Sequence, residues 1–117
     1  ENHAQAALAC AQDILDFTEY FRHLPTVAPY DLGRTRIGIE TGNVVLGDVG
    51  ASGKVDYTAF GSAINIASRL QDANKRMGTS ILIGEKASSY IKNVDLVDLG
   101  AIEIRGIGMM HAFTPKS

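Results

Sequence analysis

The fold is decided by the stretch from residue 61 to residue 83, which reads GSAINIASRLQDANKRMGTSILI. Its apolar residues recur at the three- and four-residue spacing of one helix face: Ala63, Ile66, Ala67, Leu70, Ala73 and Met77. Ser62 is a predicted N-cap of this helix, and Gly78 is a predicted C-terminal stop. The apolar run 79–83 then predicts a short buried strand. The stretch therefore predicts a helix followed at once by a core strand.

A second helix is predicted upstream, over residues 3–23, where apolar side chains again recur at helical spacing. The apolar set comprises Ala4, Ala7, Leu8, Ala11, Ile14, Leu15 and Phe21, with Cys10 and Phe17 widening the face. We therefore expect Cys10 to be a buried packing residue and not a nucleophile. The following segment contains Pro25, Pro29 and Gly33, which predict a loop.

Extended structure is predicted for most of residues 34–60. Residues 34–40 alternate as a strand does, residues 41–43 have turn chemistry, and residues 44–46 start a return strand. This order predicts a hairpin between the two strands. Three glycines mark a second turn before another extended segment, 54–60.

The last third of the chain is predicted to alternate again between helix and strand. A short helix is expected over 85–91 and a strand over 94–105. Gly106 and Gly108 turn the chain into a final strand that ends near Pro115. The chain shows no internal repeat or linker, so we expect a single α+β unit over residues 1–117.

Composition excludes several classes of protein. The 117 residues are 45% hydrophobic and 21% charged, which is typical of a globular domain. A net charge of −2 gives no field that would attract nucleic acid, and no apolar run is long enough for a membrane segment. The single cysteine cannot form an internal disulfide, which favours a reducing, cytoplasmic setting. The first residue is Glu1 and not Met, and a helical pattern begins almost at once, so we expect a piece of a longer protein.

One glycine-rich segment superficially resembles a phosphate-binding P-loop. Residues 47–55 read GDVGASGKV. The glycine spacing is one residue too long, and Val55 stands where a hydroxyl that binds Mg²⁺ is needed. A glycine turn between two strands is the preferred interpretation.

Histidines and carboxylates give no metal or catalytic pattern. The three histidines, His3, His23 and His111, are scattered, so we expect surface or packing roles for them. Three carboxylates, Glu40, Asp48 and Asp56, would cluster if the hairpin folded back. Solvated strand ends explain these carboxylates equally well.

The polar face of the helix after residue 61 is more informative. Asn65, Arg69, Asp72 and Arg76 share it, and Asn65 and Arg69 are one helical turn apart. An amide and a guanidinium projected together can bind an oxyanion or a phosphate through several donors. The alternative is a solvated face with an Asp72/Arg76 pair, and exposed polar helix faces are common.

Four strings in a fixed order give the chain a specific resemblance. They are RIGIETG at 36–42, VLGDVG at 45–50, DYTAFG at 56–61 and INIASRL at 64–70, and IEIRG follows at 102–106. This series closely resembles the second half of the class III adenylate/guanylate cyclase catalytic domain. The resemblance implies the ferredoxin-like, palm-type nucleotide cyclase fold: α+β, with a mostly antiparallel sheet flanked by helices.

The resemblance also implies roles for individual residues. Asn65 and Arg69 match the family's helix residues that hold the ribose and stabilise charge on the α-phosphate during attack by the 3′ oxygen. Thr58 matches the purine-selecting position and favours ATP over GTP. Arg105 matches a phosphate-contacting position that is usually Lys; arginine keeps the charge and changes the donor geometry. Ser62 stands where the family often has Asp or Asn, and all three residues cap a helix.

The family's metal chemistry is expected to lie outside these 117 residues. Its two Mg²⁺- or Mn²⁺-binding aspartates, and a lysine that helps to select adenine, belong to the N-terminal half of the domain. The resemblance therefore implies residues 1–117 to be the C-terminal part of the catalytic domain, without cyclase activity or a tight metal site of their own. The family forms its active sites between two subunits, which implies a second cyclase subunit as partner, and the missing strands should leave an unpaired sheet edge.

Three functional hypotheses remain at this point. The first is a signalling adenylyl cyclase that converts ATP into 3′,5′-cyclic AMP and pyrophosphate. The second is a guanylyl cyclase acting on GTP. The third is a catalytically silent, cyclase-like module that binds nucleotide or mediates dimerisation, although a purely structural module needs neither Asn65 nor Arg69.

Overall fold

The computed structural model describes residues 2–42, 45–48, 57–60 and 62–116, with side chains described for 2–42 and 62–116. Its helices are α1 (His3–Arg22), α2 (Ser62–Met77) and α3 (Glu85–Ser88). Its strands are β1 (Ile37–Ile39), β2 (Val45–Asp48), β3 (Tyr57–Phe60), β4 (Ile81–Gly84), β5 (Leu96–Ile104) and β6 (Gly108–Pro115). The chain therefore has the mixed α+β class that its sequence predicts.

The main sheet has four strands in the order β1-β4-β6-β5. β1 runs parallel to β4, whereas β6 is antiparallel to both β4 and β5, so the sheet is mostly antiparallel. A bulge interrupts the β5–β6 ladder between Asp98 and Ala101. β1 lies at one end of the order and so has one strand partner among the described strands.

The predicted hairpin between residues 34–40 and 44–46 is wrong. β1 pairs with β4, and β2 instead forms an antiparallel pair with β3, with Gly47 opposite Thr58. The physical reason is that α2 packs on β1 and returns the chain to the strand beside it, β4, whereas the intervening β2 and β3 pair with each other. Turn chemistry after a strand does not by itself identify the strand's partner.

Both faces of the sheet are covered because neighbouring residues of a strand point to opposite sides. On β4, Ile81 and Ile83 pack in the cluster that contains Leu8 of α1, whereas Leu82 packs in the cluster that contains Leu70 of α2. β1 repeats the alternation at Gly38. A Cβ there would overlap the backbone of α2, so glycine is needed for this close approach.

α1 buries a narrower face than its sequence predicts. Ala4, Leu8 and Ala11 are buried, but Cys10 is exposed and Phe17 is 62% exposed. The expectation that Cys10 is buried packing is therefore wrong. Cys10 is two residues from Leu8, about 200° around the helix, so it points away from the sheet. Exposed apolar side chains continue along this helix at Ile14, Tyr20 and Phe21.

The other predicted elements agree with the structure within a few residues. α2 begins at the predicted cap Ser62 and ends before Gly78, whose φ of 71° suits the left-handed stop. The predicted loop around Pro29 contains a short 3-10 turn, Ala28–Tyr30, because proline fits the first positions of such a turn. Among the described residues, no helix is long and apolar enough to cross a membrane.

Candidate functional site

The polar face of α2 forms one wall of the candidate site. The opposite face of the helix is fixed to the sheet by the buried residues Ala63, Leu70 and Ala73. This packing leaves Asn65 and Asp72 exposed and Arg69 half-buried, as the helical spacing predicts. The helix thus holds a rigid row of polar side chains above the end of β5.

Two guanidinium groups predicted to act on phosphate line the same cavity. This cavity has a volume of about 460 Å³, and its lining includes Arg69 and Arg76 from α2 and Glu103 and Arg105 from the end of β5 and the turn after it. Thirty-six positions separate Arg69 from Arg105 in the sequence, and the fold brings both to one surface depression.

The turn after β5 brings Arg105 to the cavity. The turn is closed by a hydrogen bond that the Ile107 amide donates to the Ile104 carbonyl, at 2.9 Å. Gly106 adopts a φ of 82°, a backbone conformation that residues with a side chain rarely adopt. A Cβ placed on Gly106 would lie 3.7 Å from two guanidinium nitrogens of Arg69, so the turn's backbone lies directly beside that side chain.

The cavity has the electrostatic character of an anion site. Three guanidinium groups and two carboxylates line it, the carboxylates being those of Asp72 and Glu103. In the described part of the chain, no carboxylate oxygen lies within 4.0 Å of the guanidinium nitrogens of these arginines. Guanidinium groups that are not engaged in ion pairs can bind the oxygens of a phosphate in a bidentate manner.

The Asp72/Arg76 pair expected for a merely solvated face is not formed. Arg76 instead donates from Nη2 to the backbone carbonyl of Glu103, at 2.5 Å. Sequence reasoning placed Arg76 on the polar face and gave it only the pair with Asp72, with no functional role. The available signal was its position two helical turns after Arg69, which puts both side chains on the same face.

The other two predicted site residues are Asn65 and Thr58. Asn65 is exposed one turn before Arg69 and is not among the residues that line the cavity. Thr58 lies on β3 opposite Gly47 of β2, and its side chain falls outside the described set. The roles of both residues stay predictions.

Glu40 is a structural carboxylate. Its Oε1 accepts hydrogen bonds from the amides of Thr41, at 2.9 Å, and Ala87, at 2.8 Å, and so fastens the end of β1 to α3. The possible cluster of Glu40 with Asp48 and Asp56 lies outside the described residues, as does most of the glycine-rich segment 47–55.

The three histidines make separate contacts. His3 lies 2.6 Å from the Thr41 hydroxyl, His23 bonds the carbonyl of Glu19 at 2.7 Å, and His111 lies 2.9 Å from the Asp98 carboxylate. Among the side chains that the structure describes, no group of three or more His, Cys, Asp or Glu could hold a metal ion. The arginine-lined cavity does not suit a divalent cation either, because its three guanidinium groups outnumber the two carboxylates of Asp72 and Glu103 and repel a cation.

Comparison with known proteins gives a consistent family. Residues 1–116 match the family described as "Adenylate and Guanylate cyclase catalytic domain". Adenylate cyclase 1 of Rhizobium meliloti (strain 1021) is 37% identical over 105 residues, which is 89% of this chain and 16% of that protein. The soluble guanylate cyclase gcy-35 of Caenorhabditis elegans is 31% identical over 119 residues, covering 97% of this chain and 16% of that protein.

Solved structures agree with the sequence relatives. A bacterial light-regulated adenylyl cyclase superposes with a TM-score of 0.83 and 25% identity, over 98% of this chain and 34% of that one. The chain therefore spans about a sixth of the length of the two curated relatives and a third of this solved chain. The resemblance inferred from the sequence is confirmed: the chain belongs to the adenylate and guanylate cyclase catalytic domain family.

Proposed function

We propose that this chain supplies the substrate-phosphate and transition-state residues of an adenylyl cyclase that forms 3′,5′-cyclic AMP and pyrophosphate from ATP. The observation that carries the proposal is the shared cavity of Arg69 and Arg105. Two guanidinium groups on one surface suit a ligand that carries several phosphates, because each can bind oxygens of a different phosphate. The family membership supplies the class of reaction.

Arg69 is proposed to act where negative charge develops. Attack of the ribose 3′ oxygen on the α-phosphorus breaks the bond to the β-phosphate, and charge grows on the oxygens around the α-phosphorus and on the leaving pyrophosphate. A half-buried guanidinium held in place by a packed helix stabilises that charge without reorganising during the reaction. Asn65, one turn earlier, would hold the ribose through its amide.

Arg105 is proposed to hold the outer phosphates. It follows β5 directly, and the backbone of its turn at Gly106 lies beside the Arg69 side chain, so one substrate would meet both cations in the same cavity. Thr58 would contact the purine base and favour ATP. GTP is the second candidate substrate, because the relatives include a guanylate cyclase that covers 97% of this chain.

We further propose that Mg²⁺ or Mn²⁺ is bound by aspartates outside residues 1–117. The metal would supply Lewis-acid chemistry at the phosphates. The cationic residues of this chain would bind the phosphates directly and would not hold the metal. On this proposal residues 1–117 alone are inactive and work with a second cyclase subunit. The sheet edge at β1 and the exposed apolar side of α1 are compatible with further protein covering them.

Product identity tests the proposal. The complete catalytic domain, in which residues 1–117 are joined to an N-terminal half with both aspartates, is incubated with Mn²⁺ and either ATP or GTP. We expect cyclic AMP as the main product, and changes of Thr58 should shift the ratio of cyclic AMP to cyclic GMP. A folded, dimeric domain that forms neither product would refute the enzymatic proposal in favour of the silent module.

A further inference from the structure

Arg76 occupies a place in the cavity that the proposed chemistry does not use. It lies seven residues after Arg69 on α2, so the two side chains project from one face about 10 Å apart along the axis. Its guanidinium reaches across the cavity and donates from Nη2 to the backbone carbonyl of Glu103. Glu103 is only two residues before Arg105.

This hydrogen bond joins two parts of the fold that otherwise meet through apolar packing. Below the cavity, Leu70 and Ala73 of α2 pack with Ile102 and Ile104 of β5, and such contacts are not directional. Among the described residues, the bond from Arg76 is the only side-chain hydrogen bond between α2 and the β5–β6 hairpin.

The bond acts where the hairpin needs support. β5 lies at the end of the strand order, and its ladder with β6 holds Glu103 opposite Met109 on one side only. The chain then enters the turn that carries Arg105. Because Arg69 and Arg105 have the same charge, their mutual repulsion favours moving the turn away from α2.

We propose that Arg76 is a positioning residue that fixes the turn of Arg105 beside Arg69 through the Glu103 carbonyl. The inference rests on the proposed function in taking a polyphosphate as the ligand. Arg76 acts through Arg105 and makes no necessary contact with the ligand itself. Its effect must therefore depend on the presence of the Arg105 guanidinium.

A double-mutant cycle tests this dependence. The probe is inorganic tripolyphosphate, titrated into the 117-residue chain while amide chemical shifts are followed by NMR. Arg76→Met should weaken binding about fivefold, the equivalent of one typical hydrogen bond. The same change in an Arg105→Met background should have no further effect on the dissociation constant.

Matched controls separate positioning from charge and from folding. Lys75→Met removes one cation from an exposed position of the same helix that does not line the cavity, and it should leave the dissociation constant within twofold. Circular dichroism gives the folded fraction of every variant, and multiplying the apparent dissociation constant by that fraction corrects for partial unfolding, which by itself weakens the apparent binding. In the complete catalytic domain, Arg76→Met should raise the KM for ATP more than it lowers kcat.

Three results would overturn the inference. The first is an undiminished effect of Arg76→Met in the Arg105→Met background, which would make Arg76 a direct ligand residue. The second is equal weakening by Lys75→Met, and the third is no binding of tripolyphosphate by the unaltered chain. The proposed function can fail independently of this inference. A complete domain that forms no cyclic product would refute the proposed function and leave the result of the binding cycle unaffected. If the complete domain is active but the losses of affinity from Arg76→Met and Arg105→Met are additive, only the positioning role is refuted.

Discussion

Replacing Asn74 with alanine should destabilise the chain by about 3 kcal/mol, because this amide is the one buried polar side chain in the described core. It is fully buried, and its Nδ2 donates to the Ile37 carbonyl of β1 at 2.9 Å. Its Oδ1 accepts from the Thr79 hydroxyl at 2.7 Å. Asn74 thereby ties the last turns of α2 to β1 and to the segment that enters β4.

The magnitude follows from what the substitution leaves behind. Alanine removes the hydrogen bond to the Ile37 carbonyl, which keeps its ladder partner in β4, and the hydrogen bond from the Thr79 hydroxyl, and each such bond contributes about 0.5–1.5 kcal/mol. The space of the missing amide adds a cavity cost of about 1 kcal/mol, and relaxation of Thr79 towards solvent removes part of the sum. The expected loss is a large share of the roughly 5–15 kcal/mol that stabilises a typical domain.

Urea unfolding followed by circular dichroism measures this loss. Lys75→Ala, at the neighbouring exposed position, is the matched control and should change the free energy of unfolding by less than about 0.5 kcal/mol. Thr79→Val should cost less in the Asn74→Ala background than alone, because the two side chains share one hydrogen bond. A loss below about 1 kcal/mol for Asn74→Ala would refute the role given to this amide.

Three other substitutions test separate parts of the structure. Gly38→Ala should cost about 2–3 kcal/mol in urea unfolding, because its Cβ would overlap the backbone of α2 and force the helix away from β1. Glu40→Ala should cost about 2 kcal/mol and raise amide hydrogen exchange at Ala87, because two amides lose their acceptor, whereas Glu40→Gln keeps an acceptor and should cost less. The hydrogen bond from Arg22 lowers the pKa of Glu19 below its ordinary value. Its small stabilisation is therefore present above the unfolded-state pKa and lost as pH falls through the folded-state value, and Glu19→Gln should remove this part of the acid dependence of unfolding.

Local pattern was sufficient to predict most elements of this fold. The stripe from Ala63 to Met77 and the stop at Gly78 predict α2 because its buried face is continuous and its end requires a positive φ. The alternating and apolar runs predict β4, β5 and β6 for the same kind of reason. These elements carry their structural information in neighbouring residues.

Long-range relations were not predictable in this way. The partner of β1 depends on how α2 crosses the sheet, so the turn residues after Glu40 gave the wrong neighbour. The exposure of Cys10 depends on which part of an apolar helix the sheet covers. In the sequence, Asn74 is one of several polar residues of the helix. Only the structure shows that the Ile37 carbonyl lies within hydrogen-bond distance of its amide.

The candidate site was likewise predictable only in part. Family resemblance identified Arg69 and Arg105, and the structure brings both to one cavity. The anchoring of the Arg105 turn by Arg76 was not predictable, because it depends on a backbone carbonyl, and any residue type at position 103 supplies one.

The rate of cyclic nucleotide formation by the Arg69→Ala variant tests the central claim most directly. The variant is made in the complete catalytic domain and compared with Lys75→Ala, which removes a cation from the same helix at a position that does not line the cavity. We expect kcat for Arg69→Ala to fall by about 10²–10³-fold, the usual effect of removing one fixed transition-state donor, and kcat for Lys75→Ala to stay within twofold of the parent. A folded Arg69→Ala domain that keeps the parent's kcat would contradict the account.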